Sequence, residues 1–191
     1  MPALPVPVFE RSSMKTAFPF CIAAVTALFA LAGCQSDRSA DCPTITGVTD
    51  ASVATIFRPG TTADPANVLY TVEITGVTGS CDMDKKETTS DANVAINFRA
   101  TRPPSGGEAH YKVPYFVAVT EGSARVMVKH AYAVEIDFAP GQTTVEVNDS
   151  VGSAHLDVAK GKHPYDYQIL VALQLTKAEL DYNRQGSHYG S

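Results

Sequence analysis

The stretch Val68-Leu69-Tyr70-Thr71-Val72-Glu73-Ile74-Thr75 decides the fold. Val68, Tyr70, Val72 and Ile74 fall on one side of an extended chain and Thr71, Glu73 and Thr75 on the other, because successive strand side chains point to opposite faces. The same period of two runs through Val94, Ile96 and Phe98, through Val113, Tyr115, Val117 and Val119, and through Tyr167, Ile169, Val171, Leu173 and Leu175. It also runs from Arg125 to Phe138, with Val126, Val128, Tyr132, Val134, Ile136 and Phe138 in register and His130 on that same side. Strands of this length are unusual, so a bulge or bend is expected near His130 and Ala131.

Turn signals separate these runs: Arg58-Pro59-Gly60, Ala63-Asp64-Pro65, Thr78-Gly79-Ser80, Arg102 to Gly107, Thr120 to Ser123, Ala139-Pro140-Gly141 and Lys160 to Pro164. Parallel pairing needs a crossover of a dozen or more residues, usually helical, and no linker shows a helical period. The expected class is therefore all-β, an antiparallel sandwich of seven or eight strands in about 130 residues. One helix is expected, Lys177 to Asn183, opened by the capping box Thr176-Lys177-Ala178-Glu179. Residues 184–191 are polar and read as a frayed tail.

Upstream, Lys15 precedes the apolar run Phe20 to Ala30, and the run ends in Leu31-Ala32-Gly33-Cys34. That is the layout of an export signal. Ala17 to Gly33 approaches the roughly 20 residues of a membrane span, but polar Gln35-Ser36-Asp37-Arg38 follows and suits cleavage better than retention. Leu31-Ala32-Gly33-Cys34 resembles the lipobox of bacterial lipoproteins. The resemblance implies a diacylglycerol on the Cys34 thiol, cleavage before it, and acylation of the new amine with a fatty acid such as palmitate. Several acyl chains, each contributing about 0.8 kcal/mol per buried CH₂, anchor a protein stably. The competing reading is an ordinary signal peptide whose Cys34 pairs with another cysteine. By the family's sorting rule, Gln35 where aspartate would retain the protein implies the outer membrane. Met1 to Ser13 holds three prolines and no targeting pattern, so Met14 is the expected true start.

The expected organisation is thus signal peptide 1–33, lipidated tether 34–41, sandwich 42–183 and tail 184–191. Removing 33 of the 191 residues leaves 158, which fits one domain. Arg11, Lys15 and Glu10 leave with the signal, taking the formal charge from −5 to −6. Arg58, Arg99, Arg102, Arg125 and Lys129 are dispersed, so the clustered cations that nucleic acid demands are missing. Cys21 leaves with the signal and the lipid consumes Cys34, so Cys42 and Cys81 are expected to form a disulfide in an oxidising compartment. Two free thiols, or half of a zinc site, are the alternatives. No CxxC or His-x₃-His spacing supports zinc.

From Thr44 to Thr176 the pattern of short alternating strands resembles immunoglobulin-like and fibronectin-type sandwiches, without the Cys and Trp landmarks of antibody domains. The segment Leu175 to Arg184 and the Phe57-Arg58-Pro59-Gly60 turn are similar to those of uncharacterised envelope lipoproteins, a resemblance that implies no activity.

No Gly-x-Ser-x-Gly elbow, His-Glu-x-x-His pair or glycine-rich phosphate loop is present. His110, His130, His155, His163 and His188 are single, none at i, i+2 or i, i+4 from another. His130, on the apolar side of its strand, reads as a core imidazole bonded to backbone, with desolvation lowering its pKa. Asp82 and Asp84 would offer oxygens to calcium, yet no acids continue at the required spacing, so a solvated loop is the expectation. Arg102 to Gly107, rich in proline and glycine, is the expected contact surface, weighed against a flexible connection. Leu180 and Tyr182 are expected to pack on the core.

These readings point to a non-enzymatic structural or protein-binding lipoprotein of the envelope, with no catalytic residue, metal or cofactor. The alternatives are a small-ligand or metal carrier using the space between the sheets, and a cell-wall hydrolase. The mark of the hydrolase would be His110, His155 or His163 beside a carboxylate in a cleft.

Overall fold

The computed structural model describes residues 42–104, 106–122 and 125–185. The signal segment, Met14, Cys34, Gln35, the tether to Asp41, and His188 with the last residues of the tail lie outside them.

Eight strands form the domain: β1 Thr44–Gly47, β2 Val53–Phe57, β3 Val68–Met83, β4 Thr89–Thr101, β5 Ala109–Glu121, β6 Arg125–Phe138, β7 Thr144–Asp157 and β8 Tyr167–Leu173. They make two four-stranded sheets, ordered β1-β8-β5-β6 and β2-β3-β4-β7. The expected sandwich is therefore the fold. Alternation produces it directly. In β4 every second residue from Ser90 to Ala100 is buried, and Tyr167, Ile169, Val171 and Leu173 of β8 pack with Val72, Ile96, Phe98, Tyr115 and Ile136 in one core between the sheets.

The expectation of purely antiparallel sheets needs a correction, because β1 pairs with β8 in parallel, Thr44 opposite Gln168 and Gly47 opposite Val171. The crossover requirement is met all the same, since nearly the whole domain connects these two strands.

Thr78-Gly79-Ser80 is not a turn. β3 runs straight through it, with Gly79 opposite Val94. A bulge at Thr75 moves the inward set by one residue, and a Cβ at Gly79 would lie 2.5 Å from both Ile45 Cδ1 and the Asn93 carbonyl. The glycine permits close approach of the facing sheet. The reversal comes later, at Asp84 to Thr88. There the Asp84 carboxylate accepts hydrogen bonds from the amides of Lys86, Thr88 and Thr89 and from the Thr88 hydroxyl. The Thr89 bond, first among these, holds that carboxyl below the usual carboxylate range.

The bulge expected near His130 and Ala131 lies instead at Met127, where Val119 pairs with Val128 but Thr120 pairs with Val126. β8 ends at Leu173, so Leu175 sits in the following loop. The helix, α1 Lys177–Arg184, carries the expected capping box: Glu179 N–H donates to Thr176 Oγ1 at 3.3 Å, and Thr176 N–H donates to Glu179 Oε2 at 2.7 Å. It ends one residue later than expected, within the usual fraying of helix termini.

α1 lies along β2. Tyr182 meets the Phe57 ring edge-on at 5.0 Å, and buried Asn183 Nδ2 donates to the carbonyls of Val53 at 2.8 Å and Asp50 at 3.3 Å. Leu180 and Tyr182 are half-buried, as expected of packing residues. At the same flank Cys42 and Cys81 form the expected disulfide, with Cα atoms 5.9 Å apart, tying the start of β1 to the opposite sheet.

Candidate functional site

The other flank is bounded by two edge strands, β6 and β7. Towards Phe138 they close over the core. Towards Arg125 and Asp157 they part, leaving a cleft of about 480 Å³ lined by Val117, Val119, Val128, His130, Tyr132, Ala154, His155 and Asp157. Its size falls within the range of small-molecule sites.

Antiparallel register explains the lining. Tyr115 is opposite Tyr132, Val117 opposite His130, and Val119 opposite Val128, so all six share the face turned to the other sheet. Alternation therefore identifies the correct face for His130. The expected burial fails: His130 is exposed, because it sits on an edge strand where the facing sheet has drawn away. It is not a core imidazole, and no hydrogen bond holds it among the described residues.

At the inner end of the cleft Tyr115 is nearly fully buried and stacks on Tyr132 at 5.5 Å, while its hydroxyl donates to Asp149 Oδ2 at 2.8 Å. This bond crosses between the sheets. Burial first, and the Asp149 carboxylate second, hold the phenol above its ordinary range. Asp149 is opposite buried Ile96, so an acidic side chain points inward from an edge strand.

At the mouth, His155 is directly opposite Asp91, and its Nδ1 lies 2.9 Å from Asp91 Oδ1. Its Nε2 is 3.4 Å from Asp157 Oδ1. The Asp91 hydrogen bond, and then the charges of both carboxylates, raise the imidazole pKa against partial desolvation. His155 is thus held between two acids.

The other two described histidines are elsewhere. His110 Nδ1 is 2.7 Å from Asp137 Oδ1 and Nε2 is 3.5 Å from Glu108, beside a shallower depression of about 350 Å³ lined also by Tyr111, Lys112 and Glu135. Asp137 raises its pKa, chiefly by the hydrogen bond. His163 stacks on Tyr165 at 4.8 Å. Among the described residues no group of three or more His, Cys, Asp and Glu is arranged to hold a metal ion. The described residues lining the cleft include neither serine nor cysteine.

The proline-glycine loop from Arg102 is fastened down. Arg102 donates from Nε to the Gln142 carbonyl at 2.8 Å and from Nη2 to the Ala139 carbonyl at 2.9 Å, and its guanidinium lies 4.5 Å above the Phe138 ring. Gly141 N–H donates to the Gly106 carbonyl at 3.0 Å. A Cβ at Gly106 would meet the Arg102 guanidinium, so a side chain there would displace that group.

Sequence reasoning missed Asp157, which lines the cleft, and Asp91 and Asp149, which pair with His155 and Tyr115 beside it. β4 and β7 pair across more than forty intervening residues, and no local signal sets their register. His110 and Asp137 lie on consecutive strands, where the turn at Gly122 would have paired them had the Met127 bulge been placed. Compared with protein-family models, curated proteins and solved structures, the chain matches none.

Proposed function

We propose that the chain is a lipoprotein of the bacterial cell envelope, anchored through Cys34 and facing the periplasm from the outer membrane. In this reading it is a non-enzymatic binding module that holds a protein partner along its open flank. The observation that carries the reading is the cleft between β6 and β7. Two edge strands flank it, both offering backbone N–H and C=O groups unpaired by a neighbouring strand, and its floor is valine, alanine and tyrosine around a free imidazole. An extended peptide adding to a sheet edge gains main-chain hydrogen bonds, with a pocket beside it supplying side-chain specificity. The anchor rests on the Leu31-Ala32-Gly33-Cys34 motif and the polar segment after it. Secretion agrees with the Cys42–Cys81 disulfide, since such bonds persist in oxidising compartments.

In-cell crosslinking of the tagged chain, followed by mass spectrometry, tests the proposal. One partner in fixed proportion, lost when His130→Trp fills the cleft, is the expected result. Turnover of a defined periplasmic substrate by the purified chain would refute the non-enzymatic reading. A Cys34→Ala chain that still fractionates with membranes would refute the lipid anchor.

His155 between Asp91 and Asp157 favours one second reading, a cell-wall hydrolase in which the imidazole and a carboxylate act as acid and base. Release of peptidoglycan fragments by the wild-type chain, abolished in His155→Gln, is the result that would establish it.

A further inference from the structure

Among the described residues the large apolar side chains left exposed are Val126 at 61%, Tyr165 at 54% and Met127 at 46%. The fold gathers all three at one end of the sandwich. Val126 and Met127 open β6, just after the turn at Gly122, and Tyr165 lies in the single helical turn Pro164–Asp166. These features touch: Gly122 N–H donates to the Asp166 carbonyl at 2.9 Å. Cys42 belongs to the same end, because Thr44 pairs with Gln168, three residues after Tyr165.

Tyr165 is held out rather than left loose. Pro164 beside it is buried, His163 N–H donates to Asp166 Oδ2 at 2.8 Å, and the ring stacks on His163. Around it stand Lys160 and Lys162 of the same loop, with Lys85 and Lys86 at the neighbouring reversal between β3 and β4. Acids share this end. Glu121 pairs with Lys162 at 3.2 Å and Arg125 at 3.0 Å, Asp84 is consumed by its own turn, and Asp82, Glu87 and Asp157 also stand there. The end is thus mixed in charge, and its apolar groups set its character. The opposite end, with the Arg58, Arg102 and Ala139 turns, exposes no large apolar side chain among the described residues.

We infer that this end of the sandwich docks on the bilayer surface, with Tyr165, Val126 and Met127 at the headgroup level. The inference rests on the lipid-anchor reading. From Cys34 to Cys42 the chain spans eight residues, at most roughly 28 Å when extended, and it joins the domain at this end. A domain so tethered presents these side chains to the membrane at short range. Tyrosine favours the membrane–water interface, where its ring is buried and its hydroxyl stays wet, and lysines beside it reach phosphate oxygens.

The chain contains no tryptophan, so a single one reports its own surroundings. Tyr165→Trp and, at the far end, Ala139→Trp are made in the full lipidated chain and reconstituted in vesicles of phosphatidylethanolamine and phosphatidylglycerol carrying brominated acyl chains. Flotation reads the anchor and quenching reads the docking. The expected result is flotation of both, with blue-shifted and quenched emission from Trp at 165 alone. Flotation with no quenching at 165 overturns the docking and leaves the anchor standing. Equal quenching at both positions overturns the end-on orientation. A chain that does not float removes the anchor and the docking with it. In a lipid-free Cys34→Ala background, a concentration-dependent blue shift at 165 would show that a second copy covers this surface, and would also overturn the inference.

Discussion

The two flanks of this sandwich are closed by different means, and the difference separates the side that holds the sheets together from the side proposed for recognition. On the β1/β2 flank the Cys42–Cys81 disulfide joins the sheets at one end, Gly79 admits Ile45 midway, and α1 covers β2 through Tyr182 and Asn183 at the other. What remains open there is a groove of about 280 Å³. On the β6/β7 flank the Tyr115–Asp149 hydrogen bond joins the sheets, and beyond it the strands part around His130. A sandwich has two sides where its sheets can splay. This one spends covalent and helical closure on the first, so the second can stay open without loss of the fold.

Breaking the closed flank should have the largest effect. Cys81→Ser opens a loop with a sequence separation of 39 and is expected to lower stability by roughly 4 kcal/mol, seen as a fall in the urea midpoint that reduction of the wild type reproduces. Next comes Asn183→Ala, which leaves the Val53 and Asp50 carbonyls without their donor and should cost about 2 kcal/mol. The amides of β2 and α1 would then exchange faster while those of β5 and β6 keep their protection. On the open flank Tyr115→Phe removes one hydrogen bond to a half-buried carboxylate, an expected loss of about 1 kcal/mol by denaturation.

The smallest effect is electrostatic and confined to exposed groups. His110 and His155 have folded pKa values raised by Asp137 and Asp91. Their contribution is fully present below the unfolded histidine value of about 6.5 and fades as pH rises through the folded values. The wild type should therefore lose slightly more stability between mildly acidic and mildly alkaline pH than a His110→Gln/His155→Gln double variant. Denaturation midpoints across that interval provide the check, and equal slopes would contradict the pairing.

Alternation made the sheets legible in the sequence, because side-chain period is a local property. It placed Tyr70, Val72, Ile96 and Ile169 inside and put His130 on the inner face. It could not show that the inner face near His130 lacks a cover, since that depends on where β7 lies relative to β6. For the same reason Asp149 and Asp157 gave no signal: a carboxylate on an edge strand reads as solvated until its register with another strand is known. Glycine misled at Gly79, where the chain needs space rather than a turn. The capping box at Thr176 and Glu179 involves neighbours three residues apart and was legible for that reason, as was the cysteine pair once Cys34 was assigned to lipid.

If the open flank is the working face, photo-crosslinking from single positions will reveal what it holds. A photoreactive residue is placed in cells at His130, in the cleft, and separately at Lys177, on α1 of the closed flank, both of them exposed. One discrete adduct is expected from position 130 and none from position 177. An adduct from position 177 with none from position 130 would contradict that reading.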